Sequence, residues 1–285
     1  MKKKINGIQL MSIPAALLFG IFFILPLFQG IGMSLTNWNG MDKAVFVGFK
    51  NYIKFFSDSR ALHDIKTTVL FAIGSALLLN ILGLIYALLM KDKFKIQGLV
   101  RVIIYLPAII SPLIMGYIWY FLLQPGRGFL YRSVEAFGGF LSWNWMANYP
   151  NTIMILILVN AWQYAGMTMI IYLAGLSSIP KELYESANID GAKKLQIFSQ
   201  ITIPLLIPAI RINVVTNIIG SLSVFDIIMS LTEGGPGYST ESLSIYIMRM
   251  CYGNQTGYST AVAMILFIII LIPVLISFKL TKSRS

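Results

Sequence analysis

Two sets of polar residues sit inside apolar runs at helical spacing. One is Asn160, Gln163, Tyr164 and Met167; the other is Asn217 and Ser221, with Asp226 a turn beyond, close to Val224. Side chains three and four apart share a helix face. Each set would therefore gather amides, hydroxyls or an aromatic ring on one side. That is material for holding a polyhydroxylated solute, by hydrogen bonds and by stacking on a ring. The same residue types also join helices inside lipid, and the sequence leaves both roles open. An isolated carboxylate at mid-bilayer costs roughly 2.5–3.5 kcal/mol on insertion scales. Asp226 is therefore expected near the outer end of its span, either reaching the interface or lining a pathway.

Other chemistry lacks its parts. The chain has one histidine, His63, and one cysteine, Cys251, so neither a disulfide framework nor a Cys/His metal site can be assembled. It has no G-x-x-x-x-G-K-[ST] phosphate loop, no H-E-x-x-H and no Ser-His-Asp set. Carriers that work alone on a proton gradient keep ionisable groups at membrane depth, and the apolar runs here hold almost none. No catalytic residue, metal or cofactor is expected in this chain.

The elements that must position these residues are membrane helices. Of 285 residues 57% are hydrophobic and 12% charged, against roughly 45–50% and 25% in soluble domains. Six stretches reach the length of about twenty apolar residues that a crossing needs: about 11–34, 66–90, 101–124, 152–175, 203–229 and 260–280. The first follows Lys2, Lys3 and Lys4 but outruns a signal peptide and lacks a small-residue cleavage site, so it reads as an uncleaved span. If the N-terminus is cytoplasmic, the inside segments carry Lys2, Lys3, Lys4, Lys91, Lys93, Lys95, Arg101, Lys181, Lys193, Lys194, Arg211, Lys279, Lys282 and Arg284. That is 14 of the 22 basic residues, against 8 in longer outside loops. The positive-inside rule then places both termini in the cytoplasm. The net charge of +11 is spread over these short loops, so it serves topology and does not suggest nucleic-acid binding. Trp38, Trp143 and Trp145 fall at outer loops, where tryptophan anchors at the interface, and FLSWNWMANYP (140–150) could lie along that surface.

One polar segment interrupts this pattern, at about 177–202. Ser177-Ser178-Ile179-Pro180 reads as a helix start. Over 180–189, Leu183, Tyr184 and Ala187 form one side and Lys181, Glu182, Glu185 and Asn188 the other. Gly191 stops this helix, and Ala192–Gln200 reads as a second short helix before Thr202-Ile203-Pro204. The mixed charges and small apolar side suit a protein partner better than a lipid surface.

The spacing E-S-A-x-x-x-G-x(9)-I-x-I-P, from Glu185 through Ser186, Ala187, Gly191 and Ile201 to Pro204, resembles the signature loop of binding-protein-dependent ABC importer permeases. Ser186 stands for an alanine and Ile203 for a leucine of that pattern. The flanks AGLSSIPKELYESANIDGA and FDIIMSLTEGGPGYST, with LTNW, VGFKNY and YLPAIIS, are similar to the sugar-importer branch, in its maltose- and glycerol-phosphate-type members.

The resemblance implies an all-α integral membrane protein with the type I importer permease fold. It implies a transport subunit that is not itself an enzyme, working with a second homologous permease, two ATPase subunits that hold ATP and magnesium, and an extracellular solute-binding protein. The loop would be a coupling helix seated on the ATPase, with Glu185, Ala187 and Gly191 at the interface. Gln163, Tyr164, Met167, Asn217, Ser221 and Asp226 fall on positions resembling substrate contacts of the larger maltose permease, with different residue types. The cargo would be a sugar or oligosaccharide. Glycerol phosphate or another polar solute is the alternative within transport. A lone proton-coupled carrier and an intramembrane enzyme are disfavoured.

Overall fold

The structure is a computed structural model that describes residues 7–91, 94–139, 144–145 and 149–282. Among these residues the regular secondary structure is helical, apart from one antiparallel bridge between Thr36 and Phe46. The helices are α1 (Gly7–Phe19), α2 (Leu25–Ser34), α3 (Lys50–Ser57), α4 (Ser59–Leu89), α5 (Gln97–Ile109), α6 (Pro112–Leu123) and α7 (Phe129–Ala136), then α8 (Tyr149–Ser177), α9 (Lys181–Ile189), α10 (Lys194–Ile197), α11 (Ile203–Leu222), α12 (Asp226–Leu231), α13 (Leu243–Tyr252) and α14 (Thr256–Lys282).

Five continuous helical runs are long and apolar enough to cross a membrane: Ser12–Ser34, Ser59–Leu89, Tyr149–Ser177, Lys194–Leu222 and Thr256–Ser277. A sixth crossing exists if α5 and α6 count together, but these meet at 97°. The stretch 101–124, read above as one span, is thus a broken pair. Proline supplies the cause. Pro112 opens α6, and the residue before a proline is pushed out of the α region; Ser111 and Ile110 both have extended ψ values, 133° and 136°.

Two of the long helices contain a π turn, Gly20–Ile24 and Phe198–Thr202. Each ends two residues before a proline, Pro26 and Pro204. A proline ring crowds the carbonyl four residues back and offers no N–H. A widened turn there lets the helix continue without a kink.

The chain forms two compact units. The first comprises residues up to 62 and Tyr246–Ile268. In it the Asn51 amide donates to the Ser34 and Thr36 carbonyls, at 2.8 Å each, and fixes the strand-like turn after α2.

The second unit comprises His63–Ile245 and the residues after 268. It has two apolar cores toward opposite ends of α4 and α8. One gathers Phe71, Leu156, Val159, Ile227, Ile228 and Ile245 around Trp145. Trp145 is 1% exposed and its indole donates to the Leu123 carbonyl at 2.7 Å. It is therefore a core residue and not the interfacial anchor expected; Trp143 and most of 140–148 lie outside the described residues. The other core gathers Ala87, Met90, Met169, Tyr172, Leu176 and Leu206.

Candidate functional site

Between those two cores lies a cavity of about 480 Å³. Helix α8 contributes Asn160, Tyr164, Met167, Thr168 and Ile171; α11 contributes Asn213, Thr216, Asn217, Gly220 and Ser221; the turn into α12 contributes Ser223 to Ile227; Leu79 and Pro112 complete the wall. The α8 positions recur every three or four residues, as do those of α11, because each helix turns one stripe toward the space.

Six of the seven pathway residues expected above line this cavity: Asn160, Tyr164, Met167, Asn217, Ser221 and Asp226. Gln163 does not. It is fully buried, and its amide nitrogen donates to the Ile110 carbonyl at 3.1 Å. That carbonyl sits at the α5–α6 break, where the helix ladder no longer supplies a donor, and a buried orphan would be costly in lipid. Asp226 is not on the helix that forms the stretch read above as 203–229. That helix ends at Leu222, the backbone swings out at Phe225 (φ −138°, ψ −62°), and Asp226 opens α12 with its side chain exposed to the cavity.

Thr168 and Asn213 were not singled out from the sequence. The Asn217 amide donates to the Thr168 hydroxyl at 3.2 Å and the Asn213 amide to the Thr168 carbonyl at 3.2 Å. Asn217 therefore serves both as interhelical link and as cavity wall. The available signal was spacing: Asn213 lies four before Asn217. The described lining residues present amides, hydroxyls, one tyrosine and one carboxylate, with no lysine, arginine or histidine. This arrangement can hydrogen-bond an uncharged polar molecule.

The second candidate region is the polar segment. Ser177 and Ser178 turn out to close α8, their hydroxyls donating back to the Leu173 and Gly175 carbonyls at 2.7 and 2.8 Å. Pro180 caps α9. At the far end the Ala192 N–H reaches the Ala187 carbonyl (2.9 Å) and the Gly191 N–H the Asn188 carbonyl (3.1 Å). This pair of bonds is the Schellman ending, which needs a left-handed residue at Gly191; its φ is +73°.

Glu185 and Ser186 are exposed, Ala187 is half-buried, Ile201 lies in the π turn and Pro204 in the first turn of α11. The second short helix is α10, and it does not stop at Gln200. Through the π turn it continues into α11 as one 29-residue run, Lys194–Leu222. Its start is held by the Gln196 side chain, which accepts the Lys193 backbone N–H at 2.8 Å. The elbow is thus spliced directly onto a membrane-spanning helix.

Residues 79–282 match the family model of the binding-protein-dependent transport system inner membrane component. The chain belongs to this family.

The permease is 33% identical over 98% of its length to the probable starch degradation products transport system permease protein of Thermoanaerobacterium thermosulfurigenes, 96% of which is covered. It superposes on the crystal structure of a bacterial ABC transporter that imports the acidic polysaccharide alginate, with TM-score 0.83 and 26% identity over 98% of this chain and 96% of that one. A second structure, of bacterial alginate ABC transporter with a pentasaccharide-bound periplasmic protein, gives TM-score 0.81 and 27% identity over 95% and 92%. The permease has the type I importer fold, and both regions above lie within the residues the family model matches.

Proposed function

We propose that this permease is one of two homologous membrane subunits of an ATP-driven importer for a sugar or oligosaccharide. An extracellular binding protein delivers the cargo, and two ATPase subunits carrying ATP and magnesium drive alternating access across the bacterial cytoplasmic membrane. Both termini and the α9 elbow face the cytoplasm. The carrying observation is the elbow itself: an exposed helix, α9, with a fixed glycine ending, joined by a four-residue turn to a second arm, α10, that is continuous with a helix long enough to span. Displacement of the elbow reaches the cavity wall on α11 through the unbroken run from α10, Lys194–Leu222.

Glu185, Ser186, Ala187 and Gly191 form the surface offered to the ATPase, with Ile201 and Pro204 setting the junction to the span. Asn160, Tyr164, Met167, Asn217, Ser221 and Asp226 line the pathway, and Gln163 supports it from behind. The chain supplies no catalytic group, metal or cofactor of its own. An uncharged sugar fits the lining better than glycerol phosphate or a uronate polymer, because an anion would meet Asp226 and no basic lining residue.

Purification from mild detergent tests the reading. The expected result is co-purification of an ATPase subunit. Gly191→Pro should abolish uptake, because proline fixes φ near −65° where the turn needs +73°. Failure to recover an ATPase, together with unchanged uptake in Gly191→Pro, would overturn it.

A further inference from the structure

Helix α9 has no fully buried side chain, and Tyr184 and Ala187 are its only half-buried positions. They stand three residues apart on one face. The chain entering α9 has an extended residue at Pro180, and the chain leaving it has a left-handed one at Gly191. Force arriving on the exposed face can therefore be lost by rotation at both ends unless the Tyr184 face holds.

Tyr184 touches three parts of the bundle. Its ring packs against the core built from Ala87, Met90, Leu176, Ile179 and Leu206. The Lys91 ammonium lies 3.7 Å from the ring centroid, a cation–π contact. Lys91 lies two residues beyond α4, and that end is fixed in turn, because the Met90 carbonyl accepts from Gln97 Nε2 at 2.7 Å and from Arg101 at 3.1 Å. On the other side the Tyr184 hydroxyl stands 3.3 Å from Thr202 Oγ1. Thr202 is buried in the π turn, and its hydroxyl donates to the Ile197 carbonyl at 3.5 Å, which leaves a lone pair to accept from Tyr184.

We propose that Tyr184, gripped between Lys91 and Thr202, is the positioning residue that locks α9 to the end of α4 and to the base of α11. A displacement of α9 then carries both helices as one body. The proposal rests on the coupling reading of α9 above. Lys91 is the clamp and Thr202 the seat. None of the three lines the cavity.

The test uses the full importer complex, with Cys251→Ser as background. Spin labels at Glu182→Cys on α9 and Leu89→Cys on α4, both exposed, report the distance between these helices, without nucleotide and after trapping with ATP and vanadate. With Tyr184 present the distance should stay within about 2 Å between the two states, as expected of a packed, rigid pair. In Tyr184→Ala it should shift by about 5 Å, near one helical turn, or about double in width, while ATP hydrolysis continues. Tyr184→Trp, which keeps a ring face for Lys91 and an N–H donor, should restore the narrow distance. Lys91→Met and Thr202→Val, one contact each, should give intermediate widths and keep the comparison available if Tyr184→Ala assembles poorly.

A separate cross-link from Asn188→Cys to the ATPase subunit reads the underlying assumption. Without that cross-link the coupling reading fails and the proposal with it. With the cross-link present, a Tyr184→Ala distance that responds like the parent, or single variants identical to it, overturns the proposal for Tyr184 alone.

Discussion

Asp58 acts on two elements at once. Its Oδ1 caps α4 by accepting the backbone N–H of Arg60 (2.9 Å) and Ala61 (3.2 Å). Its Oδ2 accepts the hydroxyls of Tyr246 (2.6 Å) and Tyr258 (3.4 Å). Burial alone would raise this carboxyl, but the donations from Tyr246, the two backbone groups and Tyr258 outweigh it, and the group titrates below its ordinary value of 3.8. Burial and donation to Asp58 push the Tyr246 hydroxyl far above its usual range. A lowered folded-state value means the carboxylate's contribution is present above about pH 4 and is lost as pH falls through the folded value. The raised tyrosine contributes below about pH 10 and its contribution fades above that. Asp58→Ala removes the cap and the acceptor for a buried hydroxyl, so it should cost about 1–3 kcal/mol, read as a lower Tm at pH 7. Asp58→Asn should flatten the loss of Tm between about pH 5 and pH 3. Only the cap has a signal in the sequence, an aspartate before an apolar run; the tyrosine partners lie 188 and 200 positions away.

The helices themselves were largely legible, because twenty-residue apolar runs have no other use in a chain of this composition. What hydropathy could not see is direction. Pro107 and Pro112 stood in plain view, yet a sum of apolarity is unchanged when α5 turns 97° into α6. The same blindness carried the fifth span past Leu222, since Val224, Phe225, Ile227 and Ile228 are apolar whichever way the backbone runs. The glycine at 166 belongs here too. A Cβ on it would stand 2.5 Å from the Ile104 carbonyl oxygen and 2.7 Å from the Tyr105 Cα. Both are backbone atoms that cannot step aside alone, so α5 and α8 approach closely only because residue 166 has no side chain. Gly166→Ala should therefore destabilise the purified protein by about 1–3 kcal/mol, read as a lower melting temperature in detergent. Gly32, with nothing within 4 Å of an added Cβ, should tolerate alanine in the same assay.

For the whole molecule, the cavity wall on α11 and the second arm of the elbow, α10, are two ends of one helix run, Lys194–Leu222. The elbow was readable because its chemistry is local: a glycine, a proline and their spacing. The cavity was readable only as stripes, since which stripe faces inward depends on partners far along the chain, and Gln163 lies behind the wall for that reason. Asp226 is the one charged residue among the described residues that line the cavity. Asp226→Asn should leave uptake of a neutral oligosaccharide within about threefold, whereas Asp226→Lys should shift competition toward an acidic oligosaccharide by about tenfold or more, measured by displacement of labelled sugar in proteoliposomes. The broken α5–α6 pair has an electrical consequence as well. A membrane that stores a voltage leaks wherever water and unpaired carbonyls form a wire across it. By occupying the Ile110 carbonyl with a buried amide, Gln163 would act as insulation at the break between α5 and α6.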